Sequence, residues 1–339
     1  MPGIGVVGYG YWGPNLVRNF AETAGARLVS VCDSRAERLS LVEKRYPGIE
    51  THTQFSEMLK SPKLDAVAIA TPVHLHFSLA EQALNAGKHV LVEKPLAFSS
   101  KDAARLIELA EAKKRVLMVD HTFIYTGAVK KIRELVSNGA IGDFLYYDSV
   151  RVNLGLFQHD VNVLWDLAVH DLSILDFVLP ERATAVSATG MAHVPGKPEN
   201  MAYLTLYFAS NVLAHIHVNW LSPVKVRKTL IGGSKKMIVY DDLSPGERIR
   251  VYDSGITLTQ SPKQEDVYKL LVSYRSGDMW APKVDETEAL KAESAEFVRC
   301  IETGARPEND GAAGLRIVRI LEAASESLKK RGQPVEIQR

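Results

Sequence analysis

Hydrophobic and polar positions follow two different rhythms along this chain, and the change falls near residue 120. Before that point, short apolar runs alternate with amphipathic stretches that have the period of a helix. The runs at 66–70 and 89–92 are almost continuously apolar, which is typical of parallel strands covered on both faces. We therefore predict an α/β domain with a doubly wound parallel sheet over residues 1–120.

The predicted strands and helices of this first domain alternate along the chain. Strands are expected near 3–8, 27–32, 48–53, 64–70, 88–92 and 116–120, and helices near 13–23, 35–46, 54–60, 75–86 and 99–114. Right-handed crossovers between parallel strands place the helices on both faces of the sheet. The carboxyl ends of the strands then form the edge at which open α/β sheets bind their ligands.

After residue 120 the alternation takes the period of a strand. In 202–208 and 213–220 every second residue is apolar, which predicts an open, mostly antiparallel sheet in a second α/β domain, residues 121–339. The remaining strands are expected at 143–153, 183–193, 226–232, 235–240 and 247–253, and helices at 126–138, 162–178, 285–303 and 312–330. The half-polar face of this sheet is either a subunit interface or open to water. Residues 254–284 form a loop or an arm.

Composition narrows the class of protein. The 339 residues are 46% apolar and 24% charged, with a formal net charge of +1, so neither nucleic acid nor a membrane is an expected partner. No apolar run reaches the roughly 18 residues of a membrane span, and the N-terminus leads into the first strand without a secretory signal. Cys32 and Cys300 are expected to be buried thiols. We expect a cytoplasmic protein of two domains.

A glycine-rich turn follows the first strand. Gly8-Tyr9-Gly10-Tyr11-Trp12-Gly13 separates it from the first helix, and Asp33 ends the second strand. In a dinucleotide-binding βαβ unit, Gly8 would permit the tight turn, Gly10 the approach of a pyrophosphate, and Gly13 the packing of the helix. A glycine turn without a nucleotide is the alternative. We predict a Rossmann domain whose cofactor contacts include Gly8, Gly10, Tyr11, Trp12, Gly13 and Asp33.

Asp33 also bears on which dinucleotide binds. A carboxylate at this position accepts hydrogen bonds from both hydroxyls of the adenosine ribose, and it repels a 2′-phosphate. The sequence therefore favours NAD over NADP. Arg35, two residues further on, could hold that phosphate, but we expect it to face solvent at the start of the second helix.

Two further motifs end predicted strands at the same edge of the sheet. Ala70-Thr71-Pro72 ends the fourth strand, and the alternative to cofactor contact is a helix cap with exposed histidines. Glu93-Lys94-Pro95 ends the fifth strand, where a lysine can stabilise the alkoxide that forms during hydride transfer. The alternative is a surface ion pair between Glu93 and Lys94. The predicted cofactor site is completed by Thr71, Pro72, His76, Glu93 and Lys94.

Asp166 and His170 could move a proton in the second half of the chain. Four positions apart in a predicted helix, they share one face, where the carboxylate can orient the imidazole and His170 can accept a hydroxyl proton. The alternative is a helix cap and a surface histidine. Arg151 and Asn153, at the end of a preceding strand, are candidate substrate contacts. Arg151 would suit a phosphate or carboxylate, although an ordinary strand-edge arginine fits equally well.

Metal binding has two weak candidates, both of them histidine pairs. His74 with His76, and His215 with His217, lie two positions apart. Neither pair has a third or fourth ligand at a recognisable spacing, so we predict no metal site. Signatures of nucleophilic catalysis are also missing from the sequence, and neither cysteine has a catalytic context.

The motifs occur together, in this order, in a known family. The segments 8–13, 70–72, 87–95 and 166–170 resemble those of the Gfo/Idh/MocA oxidoreductases, and the resemblance extends over the whole chain. It implies oxidation or reduction of sugars or cyclitols with NAD(P), and an open sheet that forms the interface of a homo-oligomer, a dimer or tetramer. It also implies that Lys94 and His170 are the catalytic pair, with Asp166 holding His170.

Two stretches point to a subgroup. Residues 10–16 and 164–171 resemble enzymes that act on nucleotide-linked sugars, such as the UDP-N-acetylglucosamine 3-dehydrogenase-like enzymes, although Ala168 stands where many relatives have glycine. Our hypothesis is NAD-dependent hydride transfer at a sugar ring carbon, C3 by resemblance, of a nucleotide-linked sugar. The expected substrate contacts are Lys94, Arg151, Asn153, Asp166 and His170. The alternatives are a free-sugar or myo-inositol dehydrogenase and a nucleotide-binding regulator without turnover.

Overall fold

A computed structural model of the chain describes residues 1–155, 161–258 and 272–338. Its first elements are β1 (Gly3–Val7), α1 (Gly13–Glu22), β2 (Arg27–Cys32), α2 (Ala36–Arg45), β3 (Glu50–His52), α3 (Phe55–Met58), β4 (Ala66–Ile69), α4 (His76–Asn85), β5 (His89–Glu93), α5 (Ser100–Lys113) and β6 (Leu117–Asp120). Short 3-10 helices at Val73–Leu75 and Thr122–Tyr125 follow β4 and β6.

These strands form a parallel sheet in the order β3-β2-β1-β4-β5-β6. The chain starts in the middle of the sheet and winds outward in both directions, which is the doubly wound topology. Every residue of β1 and β4 is buried, because helices cover both faces of the sheet. The prediction of a Rossmann domain is confirmed.

The second half begins with α6 (Gly127–Ser137) and β7 (Phe144–Leu154), and a π-helical turn at Leu164–Ala168 leads into α7 (Val169–Val178). The following elements are β8 (Ala183–Met191), β9 (Met201–Phe208), β10 (Leu213–Asn219), β11 (Leu221–Gly233), β12 (Met237–Asp241), β13 (Ile249–Tyr252), β14 (Gly255–Leu258), β15 (Val272–Arg275), β16 (Met279–Trp280), α8 (Ala289–Thr303), α9 (Gly311–Lys329) and β17 (Val335–Glu336). None of the helices in the described residues is long and apolar enough to cross a membrane.

The second sheet, within the described residues, has the order β16-β13-β12-β11-β7-β10-β9-β8-β17. Its neighbouring strands are antiparallel except for β7 and β10, which run parallel, so the prediction of an open, mostly antiparallel sheet is confirmed. Strands β14 and β15 form a separate antiparallel pair in the segment predicted as a loop or arm, 254–284. Residues 259–271 of that segment lie outside the described residues.

The alternation along β10 separates the two faces of this sheet. Ala214, Ile216 and Val218 are fully buried on one face. On the other, His217 stacks on the ring of Tyr203 with centroids 4.3 Å apart, and Tyr203 is partly exposed. The first face is core, whereas the second is a half-exposed aromatic surface. A subunit interface on that surface stays a prediction.

Contacts divide the chain into two compact units, residues 1–126 with 287–322, and residues 127–286 with 323–339. The predicted division at residue 120 differs from this, because α8 and the first part of α9 pack with the first unit. Phe297 of α8 meets Phe20 of α1 edge to face, with ring centroids 6.2 Å apart. An amphipathic pattern predicts a helix but does not say which sheet the helix covers.

Candidate active site

The turn between β1 and α1 brings two stretches of backbone close together. Gly8 has a φ of +91°, in the left-handed region that favours glycine. A Cβ atom at Gly13 would lie 1.9 Å from the carbonyl oxygen of Gly8, whereas one at Gly10 would meet only the Arg35 guanidinium, at 3.8 Å. The fold itself therefore excludes side chains at Gly8 and Gly13, while the backbone at Gly10 remains accessible to a ligand.

A cleft of about 650 Å³ opens beside this turn in the first unit. Its lining includes every predicted cofactor residue except Gly13, namely Gly8, Gly10, Tyr11, Trp12, Asp33, Thr71, Pro72, His76, Glu93 and Lys94. The volume lies in the ordinary range of ligand sites. A glycine cradle closed to side chains, a helix N-terminus and a carboxylate at the end of β2 are the features that NAD requires, and the residues present fit it.

Asp33 is held from two sides at one end of the cleft. Its Oδ2 accepts the Tyr9 backbone N–H at 2.7 Å, and Arg35 donates from Nε to Oδ1 and from Nη2 to Oδ2, each at 3.0 Å. Burial raises the pKa of the Asp33 carboxyl, but the hydrogen bonds from Arg35 and Tyr9 outweigh it and the net direction is downward. Arg35 is exposed directly before α2, as predicted, while its guanidinium pairs with the carboxylate two residues earlier.

His76 connects two of the sequence motifs through their backbones. It is buried, with Nδ1 2.8 Å from the carbonyl oxygen of Pro95 and Nε2 2.8 Å from that of Thr71. Burial lowers the pKa of its imidazole, and the two carbonyl contacts oppose that shift. The alternative of exposed histidines is therefore wrong for His76. A contact between His76 and the cofactor stays a prediction.

The edge that carries Lys94 also holds a carboxylate that our sequence reasoning missed. Asp120, the last residue of β6, pairs in register with Glu93 of β5, directly before Lys94. Its side chain accepts a hydrogen bond from Trp12 Nε1 at 2.7 Å and another from the Thr122 hydroxyl. The signal was available, because Asp120 ends a strand at the edge that singled out Lys94.

In the second unit, Asp166 lies in the π-helical turn, not in a regular α-helix. The Val169 N–H donates to the carbonyl oxygen of Leu164, five residues back, so the four-residue spacing of Asp166 and His170 does not have its usual geometry. Asp166 Oδ2 accepts the indole N–H of Trp220 at 3.0 Å. Trp220 is fully buried and was not predicted, since 54 residues separate it from Asp166.

Arg151 is built into the core of the second unit. It is 2% exposed, and its Nε donates to Asp171 Oδ2 at 2.6 Å, while Ser149 donates to Asp171 Oδ1 at 2.6 Å. Burial lowers the pKa of Arg151, but the Asp171 carboxylate raises it more. Arg151 thus anchors the residue after His170 to β7, and its contact with substrate stays a prediction. Asn153 is half-buried, and its substrate contact stays a prediction.

Metal ligands and thiols can be checked only in the described part of the chain. There, no group of three or more His, Cys, Asp or Glu side chains is arranged to hold a metal ion. Cys32 and Cys300 are free and buried, as predicted. Burial raises the pKa of Cys32 to about 11 and that of Cys300 to about 12, so both are protonated thiols at neutral pH.

Family models match both halves of the chain. Residues 3–121 match a model described as the oxidoreductase family with an NAD-binding Rossmann fold. Residues 129–239 match a model described as the GFO/IDH/MocA C-terminal domain. Together the two matches cover more than half of the chain.

Individual relatives match over nearly the whole length. The UDP-N-acetylglucosamine 3-dehydrogenase of Acidithiobacillus ferrooxidans is 26% identical over 323 residues, 93% of each chain. Its solved structure has a TM-score of 0.82 at 24% identity and 99% coverage of both chains. The myo-inositol 2-dehydrogenase of Thermotoga maritima is 24% identical over 97% of this chain and 96% of its own. Levoglucosan dehydrogenase, solved with NADH and levoglucosan, has a TM-score of 0.82 at 19% identity, with 100% of both chains covered.

Proposed function

Since the chain belongs to the Gfo/Idh/MocA oxidoreductase family, we propose that it is an NAD-dependent dehydrogenase of a nucleotide-linked sugar. The observation that carries the reaction class is the cleft of the first unit. There Lys94 lines the same cavity as the glycine turn and Asp33, so a cationic hydrogen-bond donor stands beside the cofactor residues.

The chain's own residues supply the proton and charge chemistry. Bound NAD⁺ would supply the hydride acceptor. Lys94 donates a hydrogen bond to the reacting oxygen and stabilises its negative charge as the carbon–hydrogen bond breaks. His170 accepts the hydroxyl proton, and Asp166, which Trp220 holds in place, orients His170. In the reverse direction His170 returns the proton to the carbonyl oxygen.

The finer assignment is to carbon 3 of a sugar of the UDP-N-acetylglucosamine type. It is supported by the Acidithiobacillus relative, which this chain matches over nearly its full length, and by the segments 10–16 and 164–171. The second candidate, a free-sugar or inositol dehydrogenase, is supported by the Thermotoga relative at similar coverage. The two candidates differ in whether the protein has a pocket for a nucleoside diphosphate.

The test is a substrate panel read by the absorbance of reduced nicotinamide. The protein is mixed with NAD⁺ and UDP-sugars, free sugars and inositols, and with NADH and keto-sugars for the reverse direction. We expect turnover with a UDP-sugar, competitive inhibition by UDP, and a loss of about 100-fold or more in kcat for Lys94→Ala. Turnover of a free sugar that UDP does not inhibit would favour the second candidate. Binding of NADH without turnover of any compound would contradict both.

A further inference from the structure

The indole of Trp12 reaches from the glycine turn toward the far edge of the first sheet. Its Nε1 donates to Asp120 Oδ2 at 2.7 Å, across a separation of 108 residues in the chain. Strands β4 and β5 lie between β1, which precedes Trp12, and β6, which ends at Asp120. Because tryptophan has one polar atom, this bond fixes the direction in which the ring points. The ring points away from β2 and Asp33.

Asp120 is itself immobilised. It is 2% exposed, and the hydroxyl of Thr122 donates to its second carboxylate oxygen. A buried carboxylate is costly unless its oxygens accept hydrogen bonds, so the two donors account for its presence in the core. Trp12 is therefore tied to a fixed point of the sheet and not to a mobile surface group.

A second buried carboxyl group lies behind Asp120. Glu293 of α8 is 0% exposed, and its Oε1 accepts a hydrogen bond from Asn309 Nδ2 at 2.9 Å. Burial and the negative charges of Asp120 and Glu93 raise the pKa of Glu293 well above its ordinary value. This shift favours the neutral acid form of Glu293 beside the Asp120 carboxylate.

The two ends of the cleft are distinguished by their residues. Asp33 and Arg35, beside β2, mark the end that binds the adenosine ribose. Trp12 lines the cleft together with Glu93, the last residue of β5, and Lys94, which follows it, at the opposite end. A dinucleotide that spans the cleft would place its nicotinamide at this second end.

We propose that Trp12 forms a fixed wall of the nicotinamide half of the cleft and that Asp120 is the positioning residue that sets the plane of its indole. An aromatic wall held in one orientation loses little conformational entropy when the ring of the cofactor packs against it. Without the hydrogen bond to Asp120, the indole of Trp12 can rotate. It must then lose that rotational freedom each time the cofactor binds.

The test compares two ligands, NADH and ADP-ribose, which share the adenosine half but differ in the nicotinamide. Trp12→Phe keeps an aromatic ring but removes the N–H donor together with part of the indole, whereas Asp120→Leu removes the acceptor and leaves the indole whole. We expect each variant to bind NADH about 10-fold more weakly, with the affinity for ADP-ribose unchanged within about twofold. Asp120→Asn keeps an acceptor oxygen and should restore most of the NADH affinity. Isothermal titration supplies both dissociation constants, and no sugar is present, so the result is independent of the proposed substrate.

A double variant separates the tether from a general effect on folding. If Asp120 acts only through its bond to Trp12, Trp12→Phe/Asp120→Leu should bind NADH no more weakly than Trp12→Phe alone. If the variants bound NADH and ADP-ribose more weakly by the same factor, the proposal would be overturned. That result would show that the hydrogen bond between Trp12 and Asp120 supports the whole glycine turn. Unchanged affinity for both ligands would overturn it as well. If Asp120→Leu does not fold, Asp120→Ala takes its place, because the indole must stay whole for the comparison of the two ligands to test the hydrogen bond.

Discussion

The two units of this protein hold their chemical residues by different means. In the first unit, Asp33, Thr71 and Lys94 follow the carboxyl ends of parallel strands, so the sheet topology itself collects them at one edge. In the second unit, Asp166 lies in a π-helical turn, and a side-chain hydrogen bond from Trp220 holds it. The backbone positions the first group of residues, whereas buried side-chain pairs position the second. Single substitutions should therefore damage the two groups in different ways.

The largest effect is expected from the buried ion pair of the second unit. Arg151→Met leaves the Asp171 carboxylate in the core without its cation, and breaking such a pair costs about 3–5 kcal/mol. Urea denaturation should show this loss in the free energy of unfolding. Because the pair lies next to His170, kcat should fall too, while the affinity of the first unit for NADH should be unchanged.

The control for this prediction removes both charges. Arg151→Met/Asp171→Asn has no uncompensated carboxylate, so it should recover much of the lost stability. An Arg151→Met protein as stable as the wild type would mean that the pair does not anchor α7. If Arg151→Met bound NADH more weakly than the wild type, the contrast between the two units would fail. A side-chain pair of the second unit would then support the cofactor cleft of the first.

A smaller effect is expected from the glycine turn, where backbone geometry matters. Gly13→Ala would place a methyl group 1.9 Å from the carbonyl oxygen of Gly8, so α1 must shift away from β1. Such overpacking costs about 1–3 kcal/mol, and we expect both lower stability and much weaker NADH binding. Gly10→Ala is the matched control, because its methyl group meets only Arg35, at 3.8 Å.

Gly10→Ala should keep the stability of the wild type and lose affinity for NADH only, since the methyl group stands where the pyrophosphate approaches. Denaturation curves and NADH titrations of the two variants separate these effects. If Gly13→Ala bound NADH as tightly as the wild type, the turn would not be held by close backbone contact. If Gly10→Ala were less stable than the wild type, the space around residue 10 would be too small for a methyl group, contrary to the distances in the structure.

The same contrast explains how much could be predicted from the sequence. Periodicity identified both sheets, and the position of residues at the carboxyl ends of strands predicted most of the side chains that line the cleft, because both depend on backbone order. Trp220 beside Asp166, and Asp171 beside Arg151, were missed, since a side-chain pair between distant segments leaves no periodic signal. Asp120 also lies at the carboxyl end of a parallel strand, so the same reasoning could have predicted it, but it was overlooked.

The placement of α8 was missed for a related reason. Its apolar face, with Phe297 and Cys300, predicts a buried helix, and many apolar surfaces could receive it. In the first unit, specific polar contacts accompany its apolar packing. Glu288 pairs with Arg18 at 2.6 Å, and Asn309, which follows α8, accepts the Tyr125 hydroxyl at 2.6 Å. Polar contacts of this kind become visible only when both partners are in place.

The smallest effect is expected from Glu293→Gln. This substitution tests whether the carboxyl group that α8 contributes to the first unit is buried there. The pKa of Glu293 is raised in the folded protein, so the fold retains a proton that the unfolded chain releases above about pH 4.5. The stability that this group contributes is fully present below that pH and is lost as the pH rises through the folded pKa. Glutamine needs no proton, and its oxygen can still accept the hydrogen bond from Asn309.

Glu293→Gln should therefore match the wild type in stability near pH 4.5 and be the more stable protein at neutral pH. Urea denaturation at several pH values measures the difference. Burial lowers the pKa of His89 to about 4 and that of His121 to about 3, so both destabilise the fold in acid, but they cancel because both proteins carry them. Glu302→Gln, which removes a half-exposed carboxyl group from the same helix, is the control. A stability difference that is constant with pH would mean that Glu293 is ionised in the folded protein. In that case the carboxyl group of Glu293 would be in contact with water and not buried in the first unit.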